Sequence, residues 1–535
     1  MSLIASTPVE RMNAPYARRW QGLLVLCLSL LMVLMANTSL LVAAPDMTKD
    51  LGLSSSDLQW VIDGYTVPYA ALMLVLGAVG DKYSRRGALV AGLVVFAAAS
   101  VAGSLAHSAA AVIAARAVMG VGAAVVMPAT LSLLVAMFPR AERARAITAW
   151  SATSGLAIAA GPLLAGWLLE DHGWGSTFLI NVPIAAVAAV AALVLVPPSR
   201  AAVTGRLDLM GGLLSVLTVG SLVYMIIEGP HYGWGAAAVT AAVVAAAGLA
   251  AFVAWELRHP RPLLNLGMFR DRTFTGAVLA VLLFFLGAFG TIYYASQHLQ
   301  FVLGYGPLET GTRLLPLAAA VFAGAVLTGR LTPRLGMKPV VVTGMVLGTI
   351  AIFLLTQVDS GSSYADFLPT LLLLGVAIGL SASPCTDTIM GAFPEAELGV
   401  GGGINDTALE FGGSLGIAVL GSVLATAYSD KLGAALAGHL PPAALATAQD
   451  SIGGALGVAE QVSRNPAGGP EQAHALVMAA DSAFAHAVAH TSLVGGIILA
   501  VGTVLVALIL PGRRPAPSEP EPERDEPETL ALPVR

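Results

Sequence analysis

Long apolar stretches alternate with short polar connections along almost the whole chain. A helix needs about 20 apolar residues to cross a bilayer, and 14 stretches are close to or beyond that length. They lie at residues 20–44, 58–80, 87–106, 109–137, 145–169, 177–197, 208–228, 236–257, 273–297, 310–331, 338–357, 365–392, 402–427 and 484–510. Helices satisfy their own backbone hydrogen bonds, and these stretches are too long for barrel strands. The pattern predicts an all-α polytopic membrane protein with 14 transmembrane helices.

The basic residues sort to one side of the predicted membrane. If the spans alternate in direction, 22 of the 27 lysine and arginine residues fall in the two tails and in the loops of one side. The opposite side holds Lys49, Lys431 and Arg464, while Arg116 and Arg313 lie within or at the edge of apolar stretches. Because basic loops stay preferentially in the cytoplasm, we expect a multi-pass protein of the cytoplasmic (inner) membrane with both termini cytoplasmic.

The composition leaves no room for a soluble domain of ordinary size. The chain of 535 residues is 56% hydrophobic and 11% charged, against roughly 25% charged in soluble domains, and its mean hydropathy is +0.80. No GxxxxGK[ST] phosphate loop is present, the histidines are scattered, and both cysteines, Cys27 and Cys385, sit in apolar stretches. We therefore expect no enzyme activity, no cofactor, no metal and no nucleic-acid partner.

An internal repeat divides the chain. The pattern of small, aliphatic, turn and basic residues at 77–86 recurs at 329–338, an offset of 252 residues. We interpret 20–197 as one six-helix bundle, 273–510 as its copy and 208–257 as two inserted helices. Transporters are commonly built from such repeats, with the substrate site at their interface near the middle of the membrane.

Three segments of the chain lie outside the predicted transmembrane helices. Residues 1–19 form a cytoplasmic tail, and 511–535 form an acidic, proline-rich tail of a composition typical of disorder. Residues 429–481 form a long external loop. We interpret this loop as a tolerated insertion, and the alternatives are interfacial amphipathic helices or a loose lid.

Among the charged residues inside predicted spans, four are candidates for function: Asp63, Arg116, Asp387 and Glu410. An ionised carboxylate near the middle of a bilayer costs several kcal/mol, so it persists where it faces water, binds a cation or carries a proton. A buried guanidinium stays protonated but changes the acidity of a neighbouring carboxylate. The structural alternatives are carboxylates paired with Ser or Thr, and an arginine that reaches back to the membrane surface.

The repeated loop and one helical motif resemble a known family. The loop resembles the signature of the major facilitator superfamily, with Ser84 where glycine is usual. The fifth stretch is similar to the motif of exporters in that superfamily, with Ala165 in a usual glycine position. The loop residues are Gly77, Asp81, Lys82, Arg85 and Arg86, and those of the exporter motif are Gly155, Gly161, Pro162 and Gly166. With the acidic residues of the second, twelfth and thirteenth stretches, the chain resembles the 14-helix drug:proton antiporters, in the branch that exports quaternary ammonium compounds, multiple drugs or antibiotics.

The resemblance implies a major facilitator fold of two six-helix bundles plus two inserted helices. It also implies proton-coupled efflux of amphipathic drugs or antibiotics by alternating access, conferring resistance and driven by the proton gradient. Asp63, Arg116, Asp387 and Glu410 would couple protons or meet substrate, and the 77–86 loop would act as a conformational latch. The partners would be a small amphipathic substrate, protons and the lipid bilayer; the oligomeric state stays open.

One departure from the family pattern keeps an alternative open. Ala36 stands where the family usually has a carboxylate in its first helix, with Asn37 beside it. This absence favours a dedicated self-resistance exporter of one natural product, such as an uncharged aromatic polyketide. A proton-coupled uptake permease and a receptor that transports nothing are further alternatives, against which the exporter motif and the several buried carboxylates argue.

Overall fold

The computed structural model describes residues 16–200, 208–231, 234–260, 262, 264–393, 398–464 and 469–512. Within these ranges the chain forms 18 α-helices and no β-strand. The helices are α1 Arg19–Leu51, α2 Ser55–Tyr83, α3 Arg85–Ser104, α4 Ala109–Met137, α5 Arg140–Asp171, α6 Ser176–Leu179, α7 Asn181–Leu195, α8 Leu209–His231, α9 Ala236–Glu256, α10 Arg272–Gln297, α11 Pro307–Arg313, α12 Leu315–Leu335, α13 Met337–Leu354, α14 Tyr364–Gly391, α15 Leu398–Leu436, α16 Pro442–Asp450, α17 Ile452–Ser463 and α18 Gly469–Ile509.

The helices confirm the predicted fold class. Twelve helices of the described chain are long and apolar enough to cross a membrane, and the number rises to 13 if the two bent parts of α2 count as one span. The remaining predicted span, 145–169, lies within α5. This count is roughly that of the 14 predicted spans.

Polar residues define where several spans begin. Ser54 and Asp57 form a capping box at the start of α2, and Ser363 and Asp366 form another at α14. Each box satisfies backbone N–H groups that have no partner within the helix. Such caps fix the ends of helices whose apolar surface has no preferred face.

The helices pack as two halves with a helical pair between them. We call α1–α7 the first half and α10–α18 the second half. Helix α8 packs against α2 of the first half and α15 of the second, and α9 packs against α8. The halves meet where α2 lies along α15 and where α5 lies against α11. We call the seam between α2 and α15, together with the neighbouring contact of α1 with α10, the central seam.

One side of the molecule, which we call the distal side, carries the end of α1 and the start of α2. There the Oγ of Ser55 donates to the carbonyl oxygen of Asp450 at 2.5 Å. Ser451 donates to the carbonyl oxygen of Leu53 at 3.3 Å. Both contacts join the first half to the segment between α15 and α18, so the halves touch on the distal side.

The predicted external segment 429–481 is largely helical. Helix α15 continues to Leu436, α16 and α17 follow, and α18 begins at Gly469, well before the predicted start of the last span. The segment is rich in alanine, the residue with the highest helix propensity, and hydropathy does not detect this contribution. The predicted tails at 1–19 and 511–535 lie mostly outside the described residues.

Candidate functional site

Arg116 is buried between three helices of the first half. Its side chain is 1% exposed, and its guanidinium points at α1 and α2. Nε donates to the carbonyl oxygen of Val61 at 3.0 Å, Nη1 to that of Ala36 at 3.3 Å, and Nη2 to Oδ1 of Asn37 at 3.4 Å. These contacts exclude the alternative in which Arg116 reaches back to the membrane surface.

An aromatic ring covers the same guanidinium. The Cζ of Arg116 lies 4.3 Å from the centre of the Tyr65 ring, within the range of a cation–π interaction. Gly120, one turn along α4, permits this approach, because a Cβ atom there would collide with the backbone carbonyl of Tyr65. Helices α2 and α4 therefore touch backbone to backbone beside the arginine.

Asp63 lies on α2 in the central seam. It is fully buried, and its Oδ1 accepts a hydrogen bond from Thr66 Oγ1 at 3.0 Å. Its Oδ2 is buried and has no hydrogen-bond partner in the described structure. Ser414 of α15 in the second half is a polar neighbour of this carboxyl group. A buried carboxyl oxygen without a donor is costly when ionised, so the geometry suits a group that takes up a proton.

Glu410 approaches the same site from the second half. Its side chain is 5% exposed on α15, and its charge interacts with those of Arg116 and Asp406. One turn away, Oδ1 of Asp406 accepts from Asn405, whose own Oδ1 accepts from Thr386 of α14. Neither Asp63 nor Glu410 forms an ion pair within 4.0 Å of Arg116 among the described contacts. The structure thus brings three of the four sequence-predicted residues together, with carboxyl groups contributed by both halves.

Asp387 stands apart from this cluster. It is exposed near the end of α14, and no described charge of the cluster bears on it. The sequence could not reveal this separation, because position along a span does not fix which face of the helix a residue occupies. The structure places Asp387 near the end of α14, with its side chain exposed.

The 77–86 loop is tied to its own half. Arg85 Nε contacts Asp81 Oδ1 at 2.5 Å, and its Nη1 donates to Ser199 Oγ at 3.2 Å. Arg86 Nη1 donates to the carbonyl oxygen of Val196 at 3.1 Å. The ammonium of Lys82 lies 5.5 Å from the ring of Tyr83. These contacts hold the α2–α3 connection against the end of α7. Gly77 lies next to α4, where a Cβ atom would come within 2.9 Å of Pro128.

The exporter motif lies where α5 meets two other helices. A Cβ atom at Gly161 would collide with Thr38 of α1, and one at Gly166 would come within 2.5 Å of Leu308 of α11. A Cβ atom at Gly311 of α11 would come within 2.5 Å of the carbonyl oxygen of Pro162. Gly155 belongs to the same helix, α5. Small residues permit such close packing in membranes, and here they join α5 to both halves.

Sequence reasoning missed one carboxylate in the membrane. Glu228 of the inserted helix α8 accepts a hydrogen bond from the indole Nε1 of Trp60 at 2.6 Å. The signal was present, because Glu228 is a charged residue at the end of the predicted apolar stretch 208–228. No group of three or more potential metal ligands occurs among the described residues.

Comparisons with known proteins agree with this architecture. Residues 26–417 match the family model described as Major Facilitator Superfamily. The chain is similar to the multidrug efflux pump LfrA of Mycolicibacterium smegmatis, at 32% identity over 92% of this chain and 96% of LfrA. It is also similar to the tetracenomycin C resistance and export protein of Streptomyces glaucescens, at 31% identity over 97% and 96% of the two chains.

A solved structure has the same fold. The crystal structure of a bacterial homologue of the human lysosomal transporter Spinster superposes with a TM-score of 0.63. The aligned region covers 93% of this chain and 98% of that one, at 17% sequence identity. At this identity the likeness concerns the fold alone.

Proposed function

The chain belongs to the major facilitator superfamily, and from this premise we propose that it exports amphipathic drugs or antibiotics in exchange for protons. The relatives named above are a multidrug efflux pump and an antibiotic export protein, which supports a role in drug export and resistance. Export would run across the cytoplasmic membrane, with both chain termini in the cytoplasm, as the distribution of basic residues indicates.

The buried cluster of Asp63, Arg116 and Glu410 carries the proposal of proton coupling. Arg116 and Asp63 belong to the first half and Glu410 belongs to the second. When Glu410 is ionised, its attraction to the guanidinium draws the halves together, and protonation removes that attraction. Charges interact strongly in a medium of low dielectric constant. A proton taken up at this site therefore changes the energy of one arrangement of the halves relative to another.

The same geometry supports a proposal of alternating access. The described contacts on the distal side close that face of the central seam, and a substrate leaves through this face only after they part. A cationic drug near Asp63 and Glu410 competes with protons for the same carboxylates, so that binding of one favours release of the other. Arg116 stays charged and sets how readily the two carboxylates are protonated.

The alternative is a dedicated exporter of one neutral antibiotic. Ala36 contributes no carboxylate, and its carbonyl is occupied by Arg116. The similarity to a tetracenomycin C export protein favours this reading as well. Substrate charge separates the two functions, because only a cation competes electrostatically with a proton.

Proton movement in everted, energised membrane vesicles tests the proposal. A pH-sensitive dye reports proton release as ethidium, a quaternary ammonium compound or a neutral aromatic antibiotic is added. We expect at least one drug to cause proton release from wild-type vesicles. This release should be lost in Asp63→Asn and Glu410→Gln, since neither amide can take up and release a proton. Glu309→Gln is the control, because Glu309 is partly exposed and pairs with Arg313 on its own helix at 2.7 Å.

The pattern of responses also chooses between the substrates. Release with the cations supports a multidrug cation exporter, and release with one neutral compound supports the dedicated exporter. Normal drug-dependent release from Glu410→Gln would remove this carboxylate from the mechanism. If none of these drugs causes proton release from wild-type vesicles that contain the protein, that result would contradict proton-coupled export.

A further inference from the structure

Prolines inside two helices leave backbone carbonyl groups without their usual partners. Helices α1 and α8 contain Pro45 and Pro230. Proline has no N–H group, so the carbonyl four residues earlier loses its helical hydrogen bond. The affected carbonyls are those of Leu41 and Ile226. In hydrocarbon an unsatisfied carbonyl costs several kcal/mol, so each requires a donor from elsewhere.

The Leu41 carbonyl receives its donor across the central seam, and the Ile226 carbonyl receives its donor where α8 contacts α15. Ser296 of α10, which is fully buried, donates its hydroxyl to the carbonyl oxygen of Leu41 at 3.0 Å. Ser422 of α15 donates to the carbonyl oxygen of Ile226 at 2.9 Å. In each case the hydroxyl belongs to the second half. We call these two hydrogen bonds the serine–carbonyl contacts.

The second contact reaches the first half through α8. Glu228, two residues after Ile226, holds the indole of Trp60 on α2 at 2.6 Å. Val223 and Ile227 of α8 pack in one apolar cluster with Val67 of α2. Helix α8 is therefore anchored to α2, and the Oγ of Ser422 also lies 3.3 Å from Oε1 of Gln59 on that helix. Parting α2 from α15 breaks the contact of Ser422 with Ile226.

Two other hydroxyl groups of these helices bond within their own helix. Ser29 of α1 donates to Val25 of the same helix at 2.9 Å, and Thr426 of α15 donates to Ser422 at 2.9 Å. A hydroxyl in a helix commonly bonds to the carbonyl one turn earlier. Ser296 and Ser422 instead donate to a neighbouring helix, at the positions where proline has freed a carbonyl.

We propose that Ser296 and Ser422 are positioning residues that hold the distal side of the central seam closed by satisfying the carbonyls freed by Pro45 and Pro230. The proposal rests on the alternating access described above. When the seam opens, both carbonyls lose their donors and must be hydrated. Opening is therefore tied to the entry of water into the distal side. Glu228 acts through Ile226, because it keeps α8 in register with Ser422.

A thiol placed in the closed seam reports how often it opens. Leu58 is 3% exposed and lines a cavity of about 20 Å³ in the distal seam, together with residues of α10 and α15. In a chain carrying Cys27→Ser and Cys385→Ala, Leu58→Cys is the single thiol. A membrane-impermeant maleimide added to intact cells labels it only when the distal side is open. In everted vesicles the distal side faces the lumen, out of reach of the reagent, and these vesicles are the control.

Each contact has two kinds of variant that remove it. Ser422→Ala deletes the donor, whereas Pro230→Ala leaves the serine in place and returns a helical N–H to the Ile226 carbonyl. We expect both to raise the labelling rate by roughly tenfold, which corresponds to about 1.4 kcal/mol. Combining the two should add little to either alone. Ser296→Ala and Pro45→Ala make the equivalent pair at Leu41, and provide a second test if one variant fails to fold.

Matched controls and two independent readouts decide the outcome. Thr426→Val and Ser29→Ala remove hydroxyls that bond within their own helices, so labelling should stay at the reference rate. Glu228→Gln keeps an acceptor for Trp60 and should leave labelling unchanged, whereas Glu228→Leu should raise it. Equal labelling rates in the serine variants and the controls would overturn the proposal. Fully additive effects of Ser422→Ala and Pro230→Ala on the labelling rate would also overturn it.

The proposed function fails on a different measurement. Unaltered labelling together with normal drug-driven proton release would overturn the role of the serine–carbonyl contacts and leave the exporter intact. Altered labelling without any drug-driven proton release from the unsubstituted chain would contradict proton coupling and leave these contacts as determinants of seam opening.

Discussion

Replacing Arg116 by lysine separates the charge of this residue from its geometry. The guanidinium bonds to three acceptors on two helices, at 3.0, 3.3 and 3.4 Å, and lies 4.3 Å from the ring centre of Tyr65. Lysine keeps the positive charge but presents it as a compact ammonium without the planar fork. We expect it to reach one of the three acceptors and to lose the contacts with the other two.

The expected loss follows from the number of contacts. Hydrogen bonds to charged groups contribute about 1.5–3 kcal/mol each, so losing two weakens the arrangement by about 3 kcal/mol or more. Since about 1.4 kcal/mol corresponds to a factor of ten, drug-dependent proton release should fall roughly 100-fold. Asn37→Ala removes only the longest of the three bonds, to a neutral side chain, and should cost less than tenfold.

The assay is the initial rate of drug-dependent proton release from everted vesicles, divided by the amount of protein in the membrane. Arg313→Lys is the matched control. Arg313 also lies over a tyrosine ring, 3.7 Å from the centre of Tyr305, but it pairs with partly exposed Glu309. Its replacement should change the rate less than threefold, since exposed ion pairs contribute about 0–1 kcal/mol. Wild-type release from Arg116→Lys would refute the reasoning, because charge alone would then be sufficient.

Three further predictions concern Asp387, Ala36 and Asp81. Asp387→Asn should leave drug-dependent proton release within about twofold of wild type, since Asp387 is exposed and lies away from Arg116; a complete loss in everted vesicles would contradict this placement. Ala36→Asp places a carboxylate beside Arg116, because Ala36 is 4% exposed and its carbonyl already contacts that guanidinium. Cellular resistance to ethidium and quaternary ammonium compounds should broaden or rise. Unchanged resistance to every cation would show that this position is irrelevant to transport. Asp81→Asn removes the charge that faces Arg85 at 2.5 Å. It should slow transport of every drug by a similar factor, measured as drug accumulation in cells. A change confined to one drug would indicate that Asp81 contacts substrate and is not part of a latch.

The sequence predicted the membrane fold and most of its spans. This was possible because a helix satisfies its own backbone hydrogen bonds, so that an apolar run of sufficient length is enough to identify it. The same reasoning placed Asp63, Arg116 and Glu410 inside spans, where their cost marks them as candidates for function. For 429–481 it favoured a tolerated insertion and left helices as an alternative, because hydropathy does not register a segment that is helical without being strongly apolar.

The residues that enter the membrane can be identified from the sequence alone, whereas the contacts between them depend on how the helices pack. Arg116 and Asp387 both appear as charges within apolar stretches, yet one is enclosed by α1 and α2 and the other is exposed on α14. The positions of Pro45 and Pro230 in the sequence show that two carbonyl groups lack a helical donor. That Ser296 and Ser422 are the donors is visible only in the packed structure. The physical reason is that backbone hydrogen bonding and hydropathy are local, whereas the partners of buried polar groups depend on how distant helices are arranged in space.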